Sequence, residues 1–228
     1  MTDTNDKRPF EDILVETYEP SEPQLSPDGA LLAWVAAPYG KEEDVPVADI
    51  WLAPADGSAM GRQFTHGKSN DRSPRWSPDS QTIAFLSDRT ERGKPGIYLL
   101  PVSGGEARKL VQRKSGVQSF AWSHDGRSIA FLSPDEPTEE DERREKERDD
   151  PDVYGERWPF ARLHIVDVET GDTRVLPAGE RHLFDLAWSP DDRRIAFLAS
   201  PTPELESRND AEVFTIGIDD DAPVSVGA

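Results

Sequence analysis

One short unit, written four times, constrains the fold of this 228-residue chain more than any other feature. The copies are QLSPDGALLAWVA from residue 24, RWSPDSQTIAFLS from 75, AWSHDGRSIAFLS from 121 and AWSPDDRRIAFLA from 187. With Leu25, Trp76, Trp122 and Trp188 in register, successive copies lie 51, 46 and 66 residues apart. The first two spacings sit near the period at which small sheets are repeated in an array; the third is lengthened by a charged insertion.

Each copy reads as strand, tight turn, strand. In Ser26-Pro27-Asp28-Gly29 the proline presets φ, aspartate tolerates the next position and glycine closes the turn. Ser77-Pro78-Asp79-Ser80, Ser123-His124-Asp125-Gly126 and Ser189-Pro190-Asp191-Asp192 are variants. The apolar runs that follow, Ile83-Ala84-Phe85-Leu86, Ile129-Ala130-Phe131-Leu132 and Ile195-Ala196-Phe197-Leu198, predict strands covered on both faces. A third strand is predicted at residues 49–52, 96–100, 162–166 and 212–216, followed by a Gly- or Asp-rich turn. A more polar fourth strand completes the unit, as at 63–65, 108–111 and 173–176. No amphipathic helix of useful length separates the strands, which excludes a parallel α/β sheet. The expected fold is all-β, a β-propeller with about four four-stranded blades, at residues 21–73, 74–119, 120–185 and 186–228. Trp76, Trp122 and Trp188 are expected as wedges between blades rather than as a ligand-stacking platform.

The formal net charge of -19 makes nucleic acid and anionic membranes poor partners. Arginine far outnumbers lysine among the bases, and acid excess of this kind suits concentrated salt. Cysteine is absent, which excludes disulfides and thiolate chemistry. The opening MTDTNDKRPF has no apolar stretch like a signal peptide, so the cytoplasm is the expected location.

Two segments fall outside the repeat. Residues 10–16, behind Pro9, predict a short helix within an N-terminal segment at 1–20. The insertion at 134–161 predicts a charged helix with Thr138 as cap and Asp141 as its box partner. Glu139/Arg143, Glu140/Arg144 and Glu142/Lys146 follow at i,i+4 spacing. Its tail holds Tyr154, Arg157 and Trp158, a mixture of aromatic and charged groups suited to contact with substrate or a partner.

Catalytic motifs are missing. No serine has the Gly-x-Ser-x-Gly setting of a hydrolase elbow, and residues 67–71 (GKSND) lack the second glycine. His66, His124, His164 and His182 show no metal-ligand spacing, and no phosphate-binding glycine loop occurs. No catalytic, cofactor or metal residue is assigned.

PFEDILVETYEPSEPQLSPDG, the WSPDG-then-IAFLS units and RLHIVDVETGDTRVL after a charged insertion together resemble the N-terminal propeller of the prolyl oligopeptidase (S9) family of serine peptidases. The acylaminoacyl-peptidase-like branch is the nearest match. The SPDG unit by itself is shared with TolB-like propellers. The resemblance implies a ring of about seven blades over an α/β-hydrolase domain with a Ser-Asp-His triad, acting on peptides small enough to pass the cap. About four units are present before Ala228, so no triad residue maps onto this sequence. The substrate-binding glutamates of the dipeptidyl-peptidase branch have no match either. Four units of a wider ring would leave two apolar faces for self-association or a complementary chain. A stand-alone TolB-like interaction propeller is the alternative.

Overall fold

The computed structural model describes residues 18–38, 47–141, 143 and 159–227. They form four antiparallel four-stranded sheets, each a meander in chain order. The first holds β1 (Tyr18–Leu25), β2 (Leu31–Pro38), β3 (Asp49–Pro54) and β4 (Arg62–Gln63). The second holds β5 (Arg72–Trp76), β6 (Thr82–Ser87), β7 (Gly96–Pro101) and β8 (Arg108–Val111). In the third are β9 (Ser119–Trp122), β10 (Ser128–Pro134), β11 (Ala161–Asp167) and β12 (Thr173–Val175). The fourth comprises β13 (His182–Trp188), β14 (Arg194–Ser200), β15 (Glu212–Gly217) and β16 (Val224–Gly227). The all-β fold read from the repeat is the fold observed. Among the described residues no helix is long and apolar enough to cross a membrane. The helix expected at residues 10–16 lies outside the described residues.

The strands of one sheet feed two different cores. Ile83 and Phe85 join Ala33, Ile50 and Leu52 between the first and second sheets. Their neighbours Ala84 and Leu86 join Ile129 and Phe131 between the second and third. Ala130 and Leu132 then join Ile195 and Phe197 between the third and fourth. Side chains alternate across a strand, so an unbroken apolar run is required wherever both faces are covered. All eight residues of the two central runs are fully buried, whereas Ala196 and Leu198 in the fourth sheet are only half-buried.

The serine-aspartate turn is built alike in every copy. Ser26, Ser77, Ser123 and Ser189 donate their hydroxyls to Asp28, Asp79, Asp125 and Asp191 at 2.5–2.7 Å. Each aspartate also accepts the amide two residues on, and each serine oxygen accepts the amide five residues on. The Ser26 hydroxyl and Ala30 amide hold the Asp28 carboxyl below the usual range. The fourth turn residue takes a positive φ in all copies, Gly29 at 74°, Ser80 at 60°, Gly126 at 71° and Asp192 at 56°.

Serine and aspartate tolerate that left-handed conformation here because their side chains reach the preceding turn. Ser80 Oγ accepts the Asp28 amide at 3.1 Å. Asp192 accepts the His124 and Asp125 amides at 2.7 and 2.8 Å, with His124 Nδ1 at 2.9 Å. Burial acts against the Asp192 carboxylate, yet these bonds hold it below the usual range. His124 stands where the other turns have proline, and so supplies an N–H that proline lacks.

The tryptophans are wedges between sheets, as expected. Trp76 Nε1 donates to the Gln24 carbonyl, Trp122 Nε1 to Arg75 and Trp188 Nε1 to Ala121, at 3.0, 3.2 and 3.1 Å. Each acceptor sits one residue before the register position of the preceding copy. Trp76 is buried, while Trp122 and Trp188 are half-buried, so the indole bond forms a larger share of their role. Trp122→Phe, which keeps an aromatic ring and loses the N–H, is expected to cost about 1–2 kcal/mol in urea unfolding.

Candidate functional site

Because each sheet is a meander, its connections alternate between two ends. The serine-aspartate turns occupy one end. The opposite end carries the β4–β5 connection, the β6–β7 loop, the β10–β11 excursion and the β14–β15 loop. At that end, between the first and second sheets, a niche of about 320 Å³ is lined by His66, Gly67, Lys68, Ser69, Arg89 and Arg92. Lys68, Arg89 and Arg92 line it together with His66, and both arginines are paired with acids, Arg89 with Asp71 and Arg92 with Asp88.

The floor of the niche is held by ring contacts and hydrogen bonds. Arg89 leaves the end of β6 and lies over the Phe85 and Tyr98 rings, 5.1 and 4.9 Å from their centroids. Its Nε donates to Ser87 Oγ at 2.9 Å and its Nη2 to Asp71 Oδ2 at 2.7 Å. Asp71 is fully buried, and its Oδ1 has no hydrogen-bond partner among the described residues. The Asp71 amide bonds the Ala48 carbonyl at 2.9 Å, which stitches the first sheet to the second. Asp88 is also buried, pairing with Arg92 at 2.6 Å and accepting the Asn70 and Gly93 amides. The two arginines are therefore held by two buried carboxylates.

Asp49 lies beside this group, half-buried. Burial, and then the Asp71 charge, raise its carboxyl to about 6, against the opposing effects of His66, Gln63 and Arg89. A folded-state value above the unfolded one means that the native state holds the extra proton. Stability is then lost as pH rises from about 4 through about 6 and stays lower above it. Asp49→Asn is accordingly expected to raise stability at pH 7 by about 1 kcal/mol, a figure discounted for partial exposure, with the gain shrinking toward pH 4. Urea midpoints of both proteins across that range check the sign.

The roots of the insertion lie at the same end, with β10 closing at Pro134 and β11 opening at Ala161. Arg162 Nε pairs with Asp135 at 3.0 Å, and Arg113 Nε lies 2.8 Å from Glu136. The capping box read from the sequence forms, with the Thr138 amide donating to Asp141 Oδ2 at 2.8 Å and the Asp141 amide to Thr138 Oγ1 at 3.2 Å. Tyr154, Arg157 and Trp158 lie outside the described residues. Glu142, Arg144 and Lys146 of the expected pairs do so too.

His164 is structural: it stacks on Phe131 at 4.8 Å, and burial, then Arg113, lower its pKa to about 4. Among the described residues no group of three or more potential ligands could hold a metal ion. Sequence reasoning missed the Asp71, Asp88, Arg89 and Arg92 group. Its signal was a departure from the repeat, since IAFLS is followed by Asp-Arg only in the second copy.

The family model described as TolB beta propeller domain matches residues 10–148. YuxL, an uncharacterized peptidase of Bacillus subtilis, is 32% identical over 210 residues, which span 85% of this chain and 31% of that protein. The acylaminoacyl peptidase of Pyrococcus horikoshii superposes with a TM-score of 0.63 at 14% identity, over 96% of this chain and 34% of that one. TolB of Acinetobacter baumannii gives 0.60 at 19% identity, over 90% of this chain and 42% of that one. The chain thus spans about a third of the length of the peptidases it matches.

Proposed function

This chain belongs to the TolB β-propeller domain family, and from that premise we propose that it is the non-catalytic propeller portion of an S9 serine peptidase of the acylaminoacyl-peptidase type. Its role there is that of a scaffold and size filter over an α/β-hydrolase domain that supplies the triad. The observation that carries this reading is the 32% identity to a Bacillus subtilis peptidase across 85% of the chain. The filtered substrates are short or acylated peptides, and the cytoplasm is the compartment. Tyr154, Arg157 and Trp158 are proposed to border the route that such peptides take.

A second reading is a TolB-like interaction propeller that binds a protein partner without chemistry. The description of the matching family and the likeness to Acinetobacter baumannii TolB support it.

A serine-directed probe separates the two. The purified chain is expected to take no fluorophosphonate label and to cleave no acyl-peptide or aminoacyl chromogenic substrate. Material immunoprecipitated from source cells through this chain is expected to take the label and to cleave short peptides but not folded proteins. Precipitated material without any labelled band would favour the interaction propeller, and label on the isolated chain would overturn both readings.

A further inference from the structure

We infer that the niche between the first and second sheets is a binding site for a carboxylate group, taken up by the backbone amides of the β4–β5 connection together with Ser69 Oγ, Lys68 Nζ and Arg89 Nη1. The inference rests on neither reading of the function.

The lining is rich in donors that nothing else uses. The β4–β5 connection is tied down at both ends: the Thr65 amide donates to the Ile50 carbonyl and the Ile50 amide to Thr65 Oγ1, while the Ala48 amide donates to the Ser69 carbonyl and the Asp71 amide to the Ala48 carbonyl. Between those ties the amides of His66, Gly67, Lys68 and Ser69 donate to no group among the described residues. Gly67, at a φ of 140°, supplies the bend that side chains disfavour. Successive uncommitted amides in a bent segment are a backbone setting that gathers anions. Ser69 is 8% exposed, and its hydroxyl has no partner among the described residues either.

Arg89 adds a charged donor held in place. Its Nε and Nη2 are engaged by Ser87 and Asp71 and its guanidinium lies over Phe85 and Tyr98, which leaves Nη1 without a hydrogen bond among the described residues. Lys68 is exposed on the lining and pairs with no acid among the described residues.

The surrounding acids select the ligand. Among the described residues no carboxylate lines the niche, so a cation finds no charged partner there. Asp71 and Asp88 are engaged by the two arginines, and Asp49 lies beside Asp71. Three acids this close repel a phosphate dianion more than a singly charged carboxylate. The volume of about 320 Å³ leaves room for the atoms that carry the carboxylate, on a small free acid or on a peptide.

The test is titration of the 228-residue chain with sodium acetate at constant ionic strength, followed by NMR of the amides and arginine side chains. Saturable shifts are expected at the Gly67, Lys68 and Ser69 amides and at the Arg89 guanidinium, with a Kd on the order of 1 mM for so small a ligand. Lys68→Gln and Ser69→Ala are each expected to weaken binding about fivefold, as loss of one polar contact would. Asp49→Asn is expected to tighten it about twofold by removing a nearby negative charge. Arg127→Gln, an exposed change beside the serine-aspartate turn at the opposite end, is expected to leave it unchanged. N-acetylglycine binding at least as tightly as acetate would assign the carboxylate to a peptide, and acetate binding alone would assign it to a small free acid.

Equal shifts from chloride would show an adventitious ion only and overturn the proposal. Tighter binding of inorganic phosphate than of acetate would overturn it in favour of a phosphoryl group. Absence of saturation, an unchanged Kd in Lys68→Gln, or equal weakening by Arg127→Gln would overturn the site itself.

Discussion

Arg89→Ala is expected to lower folding stability by about 3–5 kcal/mol, read as a fall in the urea midpoint at unchanged slope. The size of the effect comes from what remains behind. Asp71 is fully buried, and among the described residues only one of its carboxylate oxygens is hydrogen-bonded, to Arg89 Nη2. Removing the guanidinium strands a charge inside the seam between the first and second sheets and strips the cover from Phe85 and Tyr98. The double variant with Asp71→Asn should recover part of the loss, because an uncharged amide is cheaper to bury unpaired. A double variant that loses the sum of the two single changes would show that the pair is uncoupled and that ring cover alone explains the cost. A loss of 3–5 kcal/mol is a large share of the stability of a domain of this kind, so this is among the most damaging single changes the fold admits.

The sheets were legible because their signals are local. Proline, aspartate and glycine at fixed offsets mark the turns, and an apolar run too long to alternate marks a strand with two covered faces. What stayed illegible is contact between copies. The acceptors of the tryptophan N–H groups are backbone carbonyls of Gln24, Arg75 and Ala121, and a carbonyl leaves no mark on residue type. Ser80 and Asp192 read as loose variants of the turn glycine, although their side chains bond the preceding turn. Histidine for proline at residue 124 is a substitution with a hydrogen bond behind it, which only the neighbouring turn reveals. At the opposite end, Asp71 and Arg89 stand eighteen residues apart and meet because Arg72 pairs with Leu86 across β5 and β6. Register of that kind follows from the bulge between Arg72 and Arg75, which the sequence does not display.

The fourth sheet permits a comparison that the repeat itself supplies. Leu132 and Leu198 hold the same place in their copies, but Leu132 packs into the core shared with the fourth sheet, whereas Leu198 lines a shallow depression of about 140 Å³ with Ala187, Ala196 and Val213. Leu132 is fully buried in the core shared with Ile195 and Phe197, so Leu132→Ala is expected to cost about 2–5 kcal/mol through lost burial and the cavity left behind. Leu198 faces the depression beside Ala187 and is half-buried, so Leu198→Ala is expected to cost about 1 kcal/mol or less in the chain by itself. Urea unfolding of the two variants under one condition gives both numbers. The same side chain at the same repeat position is then compared with and without a neighbouring sheet over it among the described residues. Equal costs would mean that the outward side of the fourth sheet is already covered, and the series of seams would end at the third.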